Sequence, residues 1–274
     1  MTPEVIPVLV SAAGGKRDQL ESGKKQKLSA GRPETGNGPD RRGIRINLFL
    51  SKAGVCSRRE ADRLIAEGKV TVDGEPALPG TRVLEGQEVR LAGKLLEPEK
   101  QEVILAVHKP RGVVCTTDRR WNDILLEDIV QYPQRVFSAG RLDKESEGLI
   151  LMTNQGQLAD RLMRASMGHE KEYIVTVDRP VTDLFLYKME KGIYLPELQR
   201  KTLPCRAVKT GTYEFHLILV QGMNRQIRRM CSELGYHVKR LVRIRIRNIR
   251  LEDLPCGKWR HLTEEEIKTL KKGL

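Results

Sequence analysis

A short acidic segment bounded by glycines is the part of this sequence best suited to chemistry. Residues 140–148 begin and end with glycine and contain Asp143, Glu145 and Glu147, and the apolar run Leu149–Thr153 follows. Glycine lets a backbone turn sharply or approach a ligand closely, and a short apolar run is typical of a buried strand. The pattern predicts a tethered loop that presents a carboxylate beside a buried strand. The alternative is a polar turn whose carboxylates face water.

Arginines form two further groups that are suited to binding an anion. One group lies in the first turns of a helix predicted between Gly222 and Gly235, where the helix dipole favours negative charge; it consists of Arg225, Arg228 and Arg229. The other is the alternating run 242–247, which predicts a strand with one charged face formed by Arg243, Arg245 and Arg247. Aligned guanidinium groups repel one another, so this row predicts contacts with phosphates, and a solvated edge strand is the alternative.

The composition also indicates a polyanionic partner. The 274 residues carry a formal net charge of +13, and the pI is near 9.6. No apolar run is long enough to span a bilayer and no secretory signal is evident, so we expect a cytosolic protein without membrane association. The five cysteines and five histidines lack the spacing of disulfide frameworks or metal ligands, so the sequence predicts no metal site.

Changes in composition divide the chain. Residues 1–42 lack periodic apolar residues over most of their length, which predicts a disordered basic tail. Two short helices and a small hairpin sheet follow, with capping-box spacing at Ser57 and a tight turn at Asp73-Gly74. Residues 178–212 give mixed signals and receive no assignment. The predicted divisions are a tail at 1–42, a small domain at 43–93, a linker at 94–102 and a larger domain at 103–274.

Four sequence blocks carry a resemblance to a known family. Gly140-Arg141-Leu142-Asp143, followed by residues 146–154, resembles the signature loop of the pseudouridine synthases, in the branch that modifies ribosomal RNA and begins with a small RNA-binding domain. The other blocks, in the family's order, are His108–Val113, Lys171–Tyr173 and Gly222–Met230. The resemblance implies an α+β fold in which the larger domain is built on a mixed, mainly antiparallel sheet flanked by helices.

The resemblance also implies roles for individual residues. Uridine would be isomerised to pseudouridine with Asp143 as the catalytic group, acting as a nucleophile or as a base. The target base would leave its stack and pack between Tyr173 and Ile227, while Arg141 would contact the RNA backbone or fill the vacated space. Arg228 would keep Asp143 ionised. The reaction involves no redox change, so no cofactor is expected.

Alternatives remain for several of these residues. A carboxylate pair would suit glycoside hydrolysis, with Glu145 or Glu147 as the second group, whereas the resemblance assigns catalysis to Asp143 alone. Judged from the sequence around it, Tyr173 also fits a core tyrosine whose hydroxyl reaches water.

The small domain resembles the RNA-binding domain named after ribosomal small-subunit protein S4. Its exposed basic residues, among them Arg58, Arg59 and Arg63, would contact RNA phosphates, although each alone also fits a solubilising role. The resemblance implies ribosomal RNA as the partner, chiefly the large-subunit (23S) RNA. The block 222–230 is most similar to a member that also acts on transfer RNA. No protein partner is implied, and we expect a monomer. A non-catalytic RNA-binding protein and a metal-dependent nuclease are the other functions considered.

Overall fold

The computed structural model describes residues 43–99, 101–116, 122–164 and 168–272. The predicted tail at 1–42 lies outside these residues. None of the helices in the described ranges is long and apolar enough to cross a lipid bilayer.

The first folded part is a pair of helices packed on small sheets. Its elements are β1 (Ile44–Arg45), α1 (Ile46–Lys52), α2 (Arg58–Ala66), β2 (Val70–Val72), β3 (Glu75–Pro76), β4 (Arg82–Val83), β5 (Val89–Leu91) and β6 (Lys94–Leu96). The strand β1 pairs with β4, and the other four strands form a sheet in the order β3-β2-β5-β6. Both predicted helices are present. The predicted turn is also present, since Asp73 and Gly74 both have positive φ angles, as a two-residue hairpin turn requires.

The predicted linker begins too early. Lys94–Leu96 pairs antiparallel with Val89–Leu91, and Leu96 is buried in the same small core as Ile46 and Leu50. The strand was missed because Gly93 and Pro98 suggested a loop. The small domain therefore extends to Leu96.

The larger domain is built around one sheet. Its elements are β7 (Ile104–Lys109), α3 (Leu126–Val130), β8 (Phe137–Ala139), β9 (Glu147–Thr153), α4 (Gly156–Met163), β10 (Lys171–Val177), α5 (Asp183–Glu190), β11 (Tyr194–Leu195), β12 (Arg200–Lys201), β13 (Arg206–Lys209), β14 (Glu214–Leu219), α6 (Gln226–Glu233), β15 (Val238–Ile246), β16 (Ile249–Arg250), β17 (Trp259–His261) and α7 (Glu264–Lys271). The central order is β13-β14-β10-β15-β9-β7-β17, with β8 beside β9 and β16 beside β15.

Apolar side chains cover both faces of this sheet. One core joins the strands to α3, α5 and α6, and the other joins them to α4 and α7. Among the strand pairs of the described residues, only β9 and β15 run parallel. The predicted mixed, mainly antiparallel sheet flanked by helices is confirmed.

The unassigned stretch 178–212 contains α5 and the edge strand β13. Thr182 caps α5 by accepting a hydrogen bond from the backbone N–H of Phe185, and Phe185 and Met189 pack one turn apart against the sheet. The strands here have two to four residues, which is too short for a period-2 pattern to stand out.

The parallel pair of strands meets at a glycine. Gly148 lies opposite Arg243, and a Cβ atom at Gly148 would lie 2.3 Å from the carbonyl oxygen of Arg243 and 2.6 Å from its nitrogen. Gly148 also has a φ of +107°, which side chains disfavour. Glycine at this position therefore allows β9 and β15 to pair.

We predict that Gly148→Ala lowers the free energy of unfolding by about 2 kcal/mol or more, because the methyl group meets backbone atoms and the positive φ becomes strained. Urea unfolding at pH 7 measures the change. Gly156→Ala is the matched control: its Cβ would meet no atom closer than 3.9 Å and it lies in α4, so its effect should stay within about 1 kcal/mol. Equal stability of the two variants would contradict this account of Gly148.

Candidate active site

The loop that carries Asp143 connects β8 to β9. Asp143 is half-buried, and its carbonyl oxygen accepts a hydrogen bond from the N–H of Ser146 at 2.9 Å, which closes a turn. The side chain of Leu142 is buried beside it. The predicted tethered loop is present, and Asp143 does not lie on a free surface turn.

The turn after β7 holds this loop from one side. Lys109 is fully buried, and its Nζ donates to the carbonyl oxygens of Ser146 at 2.7 Å and Pro110 at 2.8 Å. The N–H of Gly112 donates to the carbonyl oxygen of Lys144 at 2.8 Å. Burial lowers the pKa of Lys109, while nearby groups that include the Asp143 carboxylate act in the opposite direction. A buried cation and a backbone hydrogen bond thus fix the loop.

Arg228, on α6, holds the loop from the other side. Its Nη2 donates to the carbonyl oxygen of Glu145 at 2.9 Å and to Ser146 Oγ at 3.4 Å, and its Nη1 donates to the carbonyl oxygen of Val238 at 3.2 Å. Burial lowers the pKa of Arg228, and the Asp143 carboxylate acts against that shift. Arg228 thus joins the Asp143 loop to β15 and makes no hydrogen bond to the Asp143 side chain, so its effect on the carboxylate operates through position and field.

Asp143 opens into a cavity of about 560 Å³. Six residues predicted from the sequence line it together, namely Arg141, Asp143, Tyr173, Arg225, Ile227 and Arg243. Among the described lining residues Asp143 is the one carboxylate, and the cations are Arg141, Lys144, Lys171, Arg225 and Arg243. Cys115 also lines the wall, but burial raises the pKa of its thiol, so the thiolate is disfavoured as a nucleophile.

The two other carboxylates of the loop point elsewhere. Glu145 pairs with Arg111 at 2.8 Å, and Glu147 pairs with Arg240 at 2.5 Å. Neither lines the cavity. The arrangement offers a single carboxylate, which does not match the pair that ordinary glycoside hydrolysis needs.

The predicted row of strand arginines is divided between the two faces of the sheet. Arg243 lies opposite Tyr173 and Arg245 opposite Glu172, so Ile244 is an extra residue that bulges out of the pairing. Residues directly opposite each other share a face, so Arg243 joins Tyr173 at the cavity while Arg245 joins Glu172 on the other side. The expectation that alternation continues through 242–247 is wrong because of this bulge.

The row therefore does not form one exposed surface for phosphates. Arg243 is only 2% exposed, and its Nε donates to the carbonyl oxygen of Leu149 at 2.7 Å. Arg245 pairs with Glu172 at 2.8 Å and with Glu170 at 2.9 Å, and its hydrogen bond to Glu172 lowers the pKa of that carboxyl group. Arg247 donates to two carbonyl oxygens near the end of α7, those of Leu270 and Lys272.

The remaining predicted RNA contacts fall into two groups. Arg58 and Arg59 of α2 and Arg225 at the cavity rim are exposed. Arg63 is exposed as well, but it pairs with Glu60 and Glu67, and Arg229 pairs with Glu197 and hydrogen-bonds Asn224. The charges of Arg63 and Arg229 are already compensated by carboxylates within the chain.

Comparisons with known proteins agree with this geometry. Residues 103–233 match the RNA pseudouridylate synthase family, and residues 44–89 match the S4 domain. The chain is 46% identical over 231 residues to the dual-specificity RNA pseudouridine synthase RluF of Escherichia coli (strain K12), covering 84% of this chain and 79% of that protein. It is 34% identical over 235 residues to the ribosomal large subunit pseudouridine synthase B of Bacillus subtilis (strain 168), covering 83% and 95%.

A solved structure supports the same assignment. The crystal structure of a pseudouridylate synthase matches with a TM-score of 0.63 at 28% identity, covering 83% of this chain and 100% of that one. The chain belongs to the RNA pseudouridine synthase family. It is an RNA-modifying isomerase with an S4 domain, and the predicted family is confirmed.

Sequence reasoning missed two buried lysines of this pseudouridine synthase. Lys109 and Lys171 stand in two of the blocks that identified the family, but no charge pattern distinguishes them from surface lysines. Lys171 is 6% exposed and lines the cavity two residues before Tyr173. Burial first, and then the charge of Arg243, lower the pKa of Lys171 from 10.5 to about 8.

We predict that Lys171→Met stabilises the synthase at pH 7. A pKa lowered on folding from 10.5 to about 8 means that the native state disfavours the charged lysine by on the order of 3 kcal/mol. Below pH 8 the lysine is charged in both the folded and the unfolded wild type. The free energy of unfolding of the variant should therefore exceed that of the wild type by this full amount. As the pH rises from 8 to 10.5 the unfolded wild type binds more protons than the folded one, so wild-type stability rises and the gain disappears.

Urea unfolding of both proteins between pH 7 and pH 10.5 checks this. The control is Lys188→Met on α5, an exposed lysine whose removal should change stability by less than about 0.5 kcal/mol. A gain that stays constant across this pH range would show that packing of the methionine, and not charge, is responsible.

Proposed function

We propose that Asp143 is the catalytic group that isomerises uridine to pseudouridine in RNA after the target base has left its stack. The observation that carries this proposal is the position of Asp143 as the one carboxylate among the described residues of a cavity that the buried Tyr173 also lines. An intact, clamped loop around Asp143 also argues against a synthase domain that survives only as a remnant in an RNA-binding protein.

The proposed chemistry needs the carboxylate ionised and aimed at the nucleotide. Asp143 would attack the sugar or the base, or would take a proton after the bond between N1 of the base and C1′ of the ribose has broken. In each case the base, detached from the ribose, turns and C5 replaces N1 on C1′, and any bond that the Asp143 carboxylate has formed to the base or the sugar breaks again to release the product. Lys109 and Arg228 hold the backbone of the loop, so both are positioning residues in this proposal.

Extrusion of the base costs a few kcal/mol, which contacts in the cavity must offset. Tyr173 would stack on the extruded uracil, and Ile227 would pack against it from the start of α6. The exposed Arg141, Lys144 and Arg225 surround the opening, where phosphates of a folded RNA would approach. Arg141 lies two residues before Asp143 in the same loop and would contact the RNA backbone or fill the gap left by the base.

The proposed substrate is large-subunit (23S) ribosomal RNA, with transfer RNA as a second substrate. The B. subtilis relative is named as a large-subunit enzyme, which supports ribosomal RNA as substrate, and the E. coli relative is named as a dual-specificity RNA enzyme, which supports a second class of RNA. The S4 domain, with Arg58 and Arg59 exposed on α2, would add contacts to RNA phosphates that recognise shape more than sequence. We further propose a cytosolic monomer; all five cysteines are free thiols, as in reducing compartments.

The first test is Asp143→Asn, which keeps the size and removes the charge. Pseudouridine formation should fall by about a thousandfold or more, because neither covalent attack nor proton removal remains. RNA affinity measured by filter binding should stay within about threefold, since rim and S4 contacts are unchanged. Glu145→Gln is the matched control and should keep most of the activity. Pseudouridine yield unchanged in Asp143→Asn would disprove the catalytic assignment.

The second test maps the product. Pseudouridines in ribosomal and transfer RNA from cells with and without the gene should differ at one or a few sites, with the large-subunit RNA among them. Purified protein should restore the missing sites on unmodified transcripts without added cofactor. Restoration on transfer RNA alone would overturn the ribosomal assignment while leaving the synthase activity in place.

A further inference from the structure

Two buried cations lie on the floor of the synthase cavity. Arg243 bonds the Leu149 carbonyl through Nε, but its buried Nη2 has no hydrogen-bond partner within the described ranges. Lys171 Nζ makes one long hydrogen bond, 3.3 Å, to the carbonyl oxygen of His169. The charge that acts on Lys171 is that of Arg243, which is a like charge. We call Lys171 and Arg243 the buried cation pair.

The burial of this cation pair costs free energy when no anion is bound beside it. Placing two like charges out of water costs energy unless an opposite charge is close, and a buried guanidinium nitrogen without an acceptor costs more. Asp143 is the one acid among the described residues that line the cavity, and Arg141 and Arg225 add two cations at its rim. The third rim cation, Lys144, pairs with Asp123 at 2.6 Å. The cavity therefore has an excess of positive charge that a bound anion would balance.

The location of the pair decides which part of a nucleotide it faces. Arg243 lies directly opposite Tyr173 on the neighbouring strand, and Lys171 lies two residues from Tyr173 on the same face. A ring stacked on Tyr173 would therefore have both cations beside it. Phosphates are bulky and hydrated, and they meet the exposed Arg141, Lys144 and Arg225 first. The base is the group that reaches the floor.

We propose that Lys171 and Arg243 contact the extruded uracil and stabilise the negative charge that develops on its ring during the reaction. This inference rests on the function proposed above. When the N1–C1′ bond breaks, its electron pair stays on the uracil. If Asp143 instead adds to the ring first, the electron pair of the carboxylate enters the ring, and the bond between Asp143 and the ring breaks again after C5 has bonded to C1′. When C5 bonds to C1′, the proton that leaves C5 balances the proton gained at N1. Buried cations stabilise such transient charge more strongly than exposed ones.

Lys171→Met is the main test, because the variant is expected to be at least as stable as the wild type. The substrate is an RNA that carries the uridine identified by the mapping experiment. Under single-turnover conditions with saturating enzyme, the conversion rate should fall about a hundredfold, the usual effect of removing one preorganised electrostatic contact. The RNA dissociation constant should stay within twofold. Arg243→Lys should keep more activity than Arg243→Met, and Lys188→Met should match the wild type.

A substrate with a better leaving group separates charge stabilisation from mere support of the fold. Fluorine at C5 withdraws electrons and makes the uracil anion less basic. We therefore compare how much Lys171→Met slows the conversion of each RNA. The slowing should be about tenfold smaller for the RNA with 5-fluorouridine at the target than for the uridine RNA. The rate is followed as loss of the N-linked nucleoside after nuclease digestion, because fluorine blocks the final loss of a proton from C5.

Each other outcome overturns the inference. Equal rate losses on both RNAs would mean that the pair supports the fold and does not stabilise the ring. A weaker RNA affinity with a changed salt dependence, and an unchanged saturating rate, would mean that the pair binds phosphate. A wild-type protein that converts no uridine would overturn the proposed function itself, and a wild-type rate in Lys171→Met would overturn only the role of the pair.

Discussion

The contact between Gly148 and the backbone of Arg243 is the constraint on which the active site depends. It joins two halves of the synthase sheet, because β9 continues from the Asp143 loop while β15 pairs with β10, which carries Lys171 and Tyr173. Because Gly148 has no side chain, the two strands can pair in parallel at this point. The distance between the carboxylate and the floor of the cavity is thus set by a backbone contact and not by the residues that face the RNA.

Cations that bind carbonyl oxygens add to this constraint. Lys109 and Arg228 both hold the Asp143 loop through backbone oxygens, and both interact electrostatically with the Asp143 carboxylate. A carbonyl dipole solvates a cation without neutralising it, so the positive field of the two side chains still reaches the carboxylate. A direct ion pair would engage the oxygens that the chemistry needs. Fixing the loop through its backbone leaves the Asp143 oxygens available to the nucleotide.

The sequence was most informative where chemistry and local geometry depend on the same residues. The glycines and acids of 140–148 predicted a tethered carboxylate, and the family blocks predicted that Asp143, Tyr173 and Ile227 would share a cavity. Contacts between distant segments were not predictable in this way. Nothing near Lys109 or Lys171 in the sequence shows that the folded sheet buries them, and nothing near Arg229 shows that Glu197 lies beside it. Such partners follow from the tertiary fold and not from residue spacing.

The arginine row shows how one extra residue changes the function of a strand. Continued alternation would place Arg245 on the same face as Arg243 and Lys171, and a third buried cation would add to the repulsion already present there. The bulge at Ile244 instead turns Arg245 towards Glu170 and Glu172, where two carboxylates compensate its charge. Arg243 remains at the cavity, and no carboxylate among the residues that the structure describes forms an ion pair with it. Two arginines of one alternating run can thus have different roles: Arg245 forms structural ion pairs, whereas Arg243 leaves its charge available in the cavity. Only the pairing register of the strand distinguishes the two.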